Sequence, residues 1–186
     1  DSFRHAEKNL PLGAIRQKMS DETLLTRLAS WCAKCPEKRL YTFVDATGEE
    51  DDALTYRELE LKSAALAHFL LASPRDRGAG LQRGERALLV YPPGLDFIVA
   101  FYACLRAGVI AVPVFPPDPS KLQKDLTMFV AIQASSGAQV ALCNASYDHA
   151  KKLAGLRGFF AGGAAAWPEL RWFLTDAPTA GAECAP

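Results

Sequence analysis

Cys32 and Cys35, in the segment "SWCAKCPEK", have the Cys-x-x-Cys spacing of a thiol redox couple or of half a zinc site. A redox couple of this type is activated at a helix N-terminus. This pair lies near the end of a predicted helix, where the helix dipole disfavours a thiolate. A zinc site would need two further ligands, but Cys104, Cys143 and Cys184 are single and distant, and the three histidines lack ligand spacing. We interpret the pair as a coincidence of spacing, with redox and metal functions as the alternatives.

Four arginines lie in the predicted loop "ASPRDRGAGLQRGER": Arg75, Arg77, Arg83 and Arg86. Their guanidinium groups could contact phosphate, because arginine pairs bidentately with phosphate oxygens. The glycines lack the G-x-x-x-x-G-K-[ST] spacing of a phosphate-binding loop, and "GAGLQRG" follows a helix and precedes a strand, which is the wrong context. We therefore predict a solvated connection with a turn at Gly84.

Carboxylates are concentrated at Glu49, Glu50, Asp51 and Asp52, for which we predict an exposed acidic turn. Such a cluster could bind a hard cation, but solvation is the simpler interpretation. The sequence contains no G-x-S-x-G nucleophile elbow and no G-x-G-x-x-G after a strand. The motifs therefore assign no catalytic, cofactor-binding or metal-binding residue to this chain.

Composition argues against two classes of partner. Lys+Arg and Asp+Glu are equal at 21 each, so no net field attracts nucleic acid or anionic lipid. No apolar run reaches the roughly 20 residues that span a bilayer, and no signal-peptide core is found. Five scattered cysteines favour a reducing compartment. We expect a cytoplasmic protein without a transmembrane segment, and an organellar location after removal of a targeting segment stays open.

The first elements are predicted from caps and periodicity. A helix is expected over Asp21–Lys34 with Ser20 as its cap, followed by a short strand that runs into the acidic turn. Thr55 and Glu58 have capping-box spacing at the start of a second helix. The core-facing stripe of that helix is predicted to contain Leu59, Ser63, Leu66 and Leu70.

The remaining elements alternate between strand and helix. Strands are predicted at "RALLVY", "VIAVPV", "AQVALC" and "LRWFLT". A helix over Leu95–Ala107 ends at Gly108, and a second one begins at Asp118-Pro119 and ends at Gly137. A Gly/Ala-rich connection around "FFAGGAAAWPE" leads to the fourth strand. This alternation predicts an α/β fold, a Rossmann-like parallel sheet with flanking helices.

Open parallel sheets bind ligands at the carboxyl ends of their strands. In this chain that edge is expected to present Tyr91, Phe115, Asn144 and Asp176. None of these is a nucleophile or half of an evident acid–base pair. The edge is therefore a predicted location without a predicted mechanism.

Two segments resemble core motifs of the acyl-adenylate-forming (AMP-binding) superfamily: "LTYRELELKSAALAHFL" its first motif and "CLRAGVIAVPVFPP" its second. The run "ALLVYPPGLDFIVAFYACLRAGVIAVPVFPPDP" is most similar to fatty acyl-AMP ligases, and "WPELRWFLTDA" resembles the lead-in to their phosphate-binding loop. The resemblance covers roughly residues 24–177. It implies the first N-terminal subdomain of such an enzyme, and it carries over no catalytic residue.

In that family a fatty acid is activated with ATP and Mg²⁺ to acyl-AMP and then passed to an acyl carrier protein. The family's phosphate loop, its nucleotide-binding motifs and its catalytic lysine have no counterpart in this sequence. The resemblance therefore implies that this chain alone binds neither ATP nor Mg²⁺ and cannot form acyl-AMP. Its implied partners are the remainder of the enzyme and an acyl carrier protein.

Two interpretations of the chain stay open. It is the N-terminal piece of a fatty acyl-AMP ligase, or it is a non-catalytic remnant of that fold acting as a structural or assembly subunit of a larger complex. In both, residues 1–19 form a basic arm or linker, residues 20–177 a partial AMP-binding subdomain, and residues 178–186 a flexible tail. The second interpretation predicts an exposed apolar surface.

Overall fold

The computed structural model describes residues 22–118, 122–160, 167–176 and 183–184 of the 186-residue chain. The described residues form five α-helices and seven strands. The predicted arm, residues 1–19, lies outside them. So does the predicted tail, except for two residues that form a short strand.

The first helix, α1 (Leu24–Lys34), begins later than predicted. Thr23 is its N-cap, because the Thr23 hydroxyl accepts the Thr26 amide at 3.1 Å and the Thr26 hydroxyl accepts the Thr23 amide at 2.8 Å. This reciprocal pair closes the helix end three residues after the predicted cap. The prediction of a helix starting at Asp21 was therefore wrong. Leu28 is the buried residue of α1.

A two-stranded antiparallel hairpin follows, with β1 (Arg39–Val44) and β2 (Glu50–Thr55). The turn is built around Asp45, whose carboxylate accepts the Thr47 amide at 2.8 Å and the Glu49 amide at 3.0 Å. The acidic residues 50–52 lie on β2 and remain exposed, so the prediction of an acidic turn was wrong for them. The strand is held to the protein by Leu54, which is buried.

The second helix, α2 (Tyr56–Leu71), has the predicted capping box. All four residues of its predicted stripe, Leu59, Ser63, Leu66 and Leu70, are buried. Helix α2 packs on α3 (Leu95–Ala107), whose left-handed end at Gly108 (φ 69°) is also as predicted.

The α2–α3 contact contains a part-buried polar group. The Arg106 guanidinium donates to the Ser63 hydroxyl at 2.8 Å and to the Glu60 carboxylate at 2.5 Å. A buried charge needs such partners, since an unpaired one would cost several kcal/mol. The contact therefore adds a polar link to the apolar packing of the two helices.

The main sheet alternates with helices, as predicted for its first three strands. Its elements are β3 (Arg86–Leu89), α3, β4 (Ile110–Pro113), α4 (Leu122–Ser136), β5 (Val140–Cys143), α5 (Ala145–Phe160), β6 (Arg171–Leu174) and β7 (Glu183–Cys184). The order across the sheet is β4-β3-β5-β6-β7. The first four strands are parallel, and the two-residue β7 pairs antiparallel to β6.

Helix α4 was predicted from the sequence, whereas α5 was not. The predicted start of α4 at Asp118-Pro119 falls partly outside the described residues, while its end at Gly137, with φ 66°, is confirmed. Helix α5 was missed, and the sequence analysis left its residues without an element. The reason is its buried face, which carries Asp148 and Lys151 beside Tyr147 and so shows no apolar stripe.

Apolar clusters cover both faces of the sheet. One face packs against α2 and α3 through residues such as Leu70, Cys104 and Leu142. The other face packs through Phe129 and Trp172, among others. The sheet is therefore doubly wound, with helices on both sides.

Candidate functional site at the carboxyl edge of the sheet

The strand order defines where a ligand site would be expected. From β3 the chain moves to β4 on one side, and it then returns to β5 and β6 on the other. The winding thus reverses between β3 and β5, and the crevice outside the carboxyl ends of these two strands is where open α/β sheets bind ligands. The side chains at this switch point are therefore the candidates for a functional site.

Asn144 closes the switch point. Its Oδ1 accepts the Tyr147 amide at 3.0 Å, which makes it the N-cap of α5. Its Nδ2 donates to Asp96 Oδ2 at 2.9 Å, and Asp96 lies in the first turn of α3. One side chain thus joins the N-termini of the two helices that flank the switch point.

A second contact joins the ends of the strands. The Tyr91 hydroxyl lies 2.9 Å from Thr175 Oγ1, and Thr175 Oγ1 donates to the Cys143 carbonyl at 3.2 Å. Either hydroxyl can be the donor in the contact between Tyr91 and Thr175. Burial raises the pKa of Tyr91 well above its usual value, although the hydrogen bond with Thr175 acts in the opposite direction. The phenol therefore stays protonated at neutral pH.

Asp176 supplies the third contact. Its two carboxylate oxygens accept the Ala145 amide at 2.9 and 3.0 Å. The carboxylate therefore lies at the N-terminus of α5, where the helix dipole favours a negative charge. Tyr91, Asp96, Asn144, Thr175 and Asp176, which we call the edge network, fasten β3, β5, β6 and two helix ends to one another.

The chemistry of the edge network is structural. Backbone amides at a helix N-terminus can bind a phosphate, but at α3 and α5 the protein's own Asp96 and Asp176 carboxylates already lie there. A phosphate would be repelled by these charges. The hydrogen bonds of the network therefore position the strands and helix ends that it joins.

Three of the four edge residues predicted from the sequence, Tyr91, Asn144 and Asp176, belong to the edge network. Phe115 does not, and 78% of it is exposed. Asp96 and Thr175 were missed, although both had a signal: Asp96 lies in the first turn of a predicted helix, and Thr175 closes a predicted strand.

Cys32 and Cys35 lie at the end of α1, as expected, with Cys35 as the C-cap. Both thiols are free and half-buried, and the Cys35 thiol donates to the Trp31 carbonyl at 3.5 Å. Among the described residues, no group of three or more His, Cys, Asp or Glu side chains could hold a metal ion. The thiol of Cys104 is buried in the core, and this burial raises its pKa to about 12.

The outer side of β4 and α4 carries an exposed apolar surface. A shallow depression of about 400 Å³ is lined by Val112, Met128 and Ile132, among others. Ile110 and Phe115 are exposed beside these elements. Such a surface is typical of an interface.

Replacing Asn144 with alanine is expected to lower the free energy of unfolding by about 1–2 kcal/mol, because α5 loses its cap and Asp96 loses its amide partner. Urea unfolding followed by tryptophan fluorescence measures the change. Thr23→Ala is the matched control, since it removes an exposed N-cap within its own helix. An Asn144→Ala variant that loses no more stability than Thr23→Ala would contradict the linking role of Asn144.

The described residues form a doubly wound α/β scaffold, which is similar to the N-terminal domain of adenylate-forming enzymes. A family described as AMP-binding enzyme matches residues 28–157. The chain belongs to that family and is homologous to fatty acyl-AMP ligases.

Three relatives illustrate the match. The medium-chain-fatty-acid–[acyl-carrier-protein] ligase JamA of Moorena producens is 35% identical over 144 residues, which are 77% of this chain and 22% of the ligase. Disco-interacting protein 2 homolog B of Mus musculus is 35% identical over 178 residues, 91% of this chain and 11% of that protein. The structure of a fatty acyl-adenylate ligase from L. pneumophila, in complex with acyl adenylate and pyrophosphate, superposes with a TM-score of 0.64 at 29% identity.

The superposition on the L. pneumophila ligase covers 83% of this chain and 23% of the ligase. The chain thus spans less than a quarter of the length of either ligase. No helix within the described ranges is both long and apolar enough to cross a bilayer.

Proposed function

We propose that this chain forms the N-terminal part of a fatty acyl-AMP ligase, which activates a fatty acid with ATP and transfers the acyl group to an acyl carrier protein. The observation that carries the proposal is the 35% identity to a fatty-acid–[acyl-carrier-protein] ligase over 77% of this chain. The likeness to a fatty acyl-adenylate ligase with a TM-score of 0.64 supports it independently.

Within such an enzyme the described residues serve as a scaffold. The edge network fixes the end of β6 through Thr175 and Asp176, and the segment around them resembles the family's lead-in to the phosphate-binding loop. A fixed position for the end of β6 matters there, because a displacement of about 1 Å at a reacting group costs on the order of 100-fold in rate. The network would therefore act on catalysis by positioning the segment that follows β6.

The described residues do not fit ATP and Mg²⁺. The helix N-termini at the switch point carry the carboxylates of Asp96 and Asp176, which repel phosphate. Among the described residues, no carboxylate cluster of metal-binding size is present. We therefore assign nucleotide and metal binding to residues outside the described part of this chain.

Pyrophosphate exchange tests the proposal in the native protein that carries this segment. We expect exchange of labelled pyrophosphate into ATP that depends on a medium- or long-chain fatty acid, followed by acyl transfer to a carrier protein. Exchange that is equal with and without fatty acid would overturn the proposal. Short organic acids of the same charge serve as the control for acyl specificity.

A second candidate function is a non-catalytic assembly subunit. It is favoured by the 35% identity, over 91% of this chain, to a protein named for interacting with Disco, and by the exposed apolar surface around Met128. Pyrophosphate exchange by the native protein separates the two candidates. Exchange that depends on fatty acid supports the ligase, whereas its absence in a protein that is always found in a constant larger complex supports the subunit.

A further inference from the structure

Cys32 and Cys35 belong neither to the edge network nor to the proposed function. Cys32 lies in the last turn of α1, and Cys35 is the C-cap of that helix. Both carry free thiols and are half-buried, so they are partly accessible from solution. Cys104 and Cys143, by contrast, are buried in the core. A small oxidant in solution therefore reaches the first two thiols and not the last two.

The backbone holds Cys32 and Cys35 at a separation that a disulfide can bridge. The Cys35 amide donates to the Trp31 carbonyl at 2.9 Å, so the helical path of the chain continues as far as Cys35. The radius and rise of an α-helix place the Cα atoms of residues i and i+3 about 5 Å apart. Disulfides join residues whose Cα atoms are roughly 4.4–6.8 Å apart. A bond between the two residues therefore needs no change in the path of the chain.

The Cys35 side chain already turns back toward its partner. Its thiol donates to the Trp31 carbonyl at 3.5 Å, and this carbonyl belongs to the peptide group that joins Trp31 to Cys32. Cβ atoms one helical turn apart are about 5–6 Å from each other, and a disulfide needs about 3.5–4.5 Å. Rotation of Cys35 can close this gap, because its φ of −149° already departs from the helix and no helical residue follows it.

The two cysteines lie where α1 meets the start of α2. The Pro36 carbonyl accepts the Arg57 amide at 3.0 Å, and the Lys38 carbonyl accepts the Tyr56 amide at 3.2 Å. The Trp31 ring stacks on Tyr56, the first residue of α2, at 6.3 Å between ring centroids. A disulfide here would therefore cross-link the helical turn whose neighbours hold the first residues of α2.

The position at a helix C-terminus determines which kind of redox pair this is. In thiol oxidoreductases the pair lies at a helix N-terminus, where a stabilised thiolate favours the reduced form and makes the disulfide a strong oxidant. The C-terminus of α1 gives a thiolate no such stabilisation, and a disulfide carries no charge on which the helix dipole acts. The pair therefore lacks the activation of a catalytic couple, and the helix does not disfavour its oxidised form.

We propose that Cys32 and Cys35 form a reversible intramolecular disulfide by exchange with a small-molecule disulfide such as glutathione disulfide. The thiolate of one cysteine attacks a sulfur of the small disulfide, forms a mixed disulfide and releases one small thiolate. The thiolate of the other cysteine then attacks the protein sulfur of the mixed disulfide and releases the second small thiolate. Two electrons pass from the protein to the small disulfide, and the two thiol protons pass to the released thiolates.

Peptide mapping of the native protein in glutathione buffers tests the proposal. Free thiols are blocked by alkylation, and the protein is then digested with trypsin, which cleaves after Lys34 and so separates the two cysteines. The disulfide links the peptides 28–34 and 35–38, and the linked pair has two hydrogen atoms fewer than the separate reduced peptides. We expect this pair in more than half of the molecules in excess glutathione disulfide, and its loss when excess reduced glutathione is restored.

Cys32→Ser and Cys35→Ser are the matched controls, since each keeps one thiol of the pair. Both variants are expected to stop at the mixed disulfide with glutathione, whereas Cys104 and Cys143 should be alkylated only after unfolding. Mixed disulfides at Cys32 and Cys35 without the linked pair in the unsubstituted protein would overturn the proposal. So would two thiols that stay reduced in excess glutathione disulfide, or a disulfide from either cysteine to Cys184.

Discussion

Replacing Trp172 with alanine is expected to lower the free energy of unfolding by about 3–5 kcal/mol. Trp172 lies on β6, is 2% exposed, and stacks on Phe129 at 6.1 Å and on Tyr147 at 6.4 Å between ring centroids. The Lys151 ammonium lies 3.9 Å from the centre of its ring. The substitution therefore leaves a cavity in the apolar cluster that contains Phe129 and Trp172. It also removes the ring face that the buried Lys151 ammonium contacts.

Trp31→Ala is the matched control for this prediction. Trp31 is also an aromatic residue, with Tyr56 stacked at 6.3 Å and Lys34 above its ring, but it is 42% exposed. We expect it to cost at most about 1 kcal/mol. Urea unfolding followed by far-UV circular dichroism measures both variants. If Trp31→Ala and Trp172→Ala lower the free energy of unfolding by similar amounts, Trp172 is not buried in this apolar cluster.

Gly78→Ala is expected to cost at least about 2 kcal/mol, because the added methyl group has no space. A Cβ on Gly78 would lie 2.1 Å from the carbonyl oxygen of Ala72 and 2.4 Å from its carbonyl carbon. Both atoms belong to the backbone at the end of α2, so the loop or the helix end must move. Loss of the Gly78 amide bond to the Ser73 carbonyl, now 2.9 Å, would add to the cost.

The control for Gly78 is Gly94→Ala at the N-cap of α3. A Cβ there meets its nearest atom, the Pro92 carbonyl oxygen, at 3.9 Å, which is ordinary contact. Its cost should stay at or below about 1 kcal/mol, which is the loss expected when an N-cap is replaced by alanine without a clash. If thermal unfolding shows equal midpoints for the two variants, the close approach at Gly78 does not exist in solution.

The parallel sheet was predictable because its signals are local. Four apolar strands alternate with helices that end at Gly108 and Gly137, and both glycines take the left-handed conformation that favours them at a helix end. The glycines of "GAGLQRG" illustrate the converse. They permit a close approach at Gly78 and a left-handed turn at Gly84, as a connection requires, rather than a phosphate-binding loop.

The elements that were not predicted have no continuous apolar face. Helix α5 buries charged Asp148 and Lys151, so its apolar residues form no stripe. Strand β2 consists largely of exposed carboxylates and is held by pairing with β1 and by one buried leucine, Leu54. In both cases the tertiary environment, rather than local periodicity, decides the structure.

The candidate site was predictable as a location but not as a function. Tyr91, Asn144 and Asp176 follow strands and could be placed at one edge from the order of elements alone. Their partners could not, because hydrogen bonds such as the one between Asn144 and Asp96 join residues that are distant in sequence. Only these contacts show that the edge is closed by the protein's own carboxylates.

The most direct test of the scaffold interpretation is pyrophosphate exchange by the 186-residue chain alone, with a medium- or long-chain fatty acid and Mg²⁺-ATP. Near-UV circular dichroism first establishes that the chain is folded. We predict no exchange above the blank, under conditions in which the native protein exchanges. Fatty-acid-dependent exchange by the chain alone would contradict the interpretation, because it would require the catalytic groups to lie within these residues.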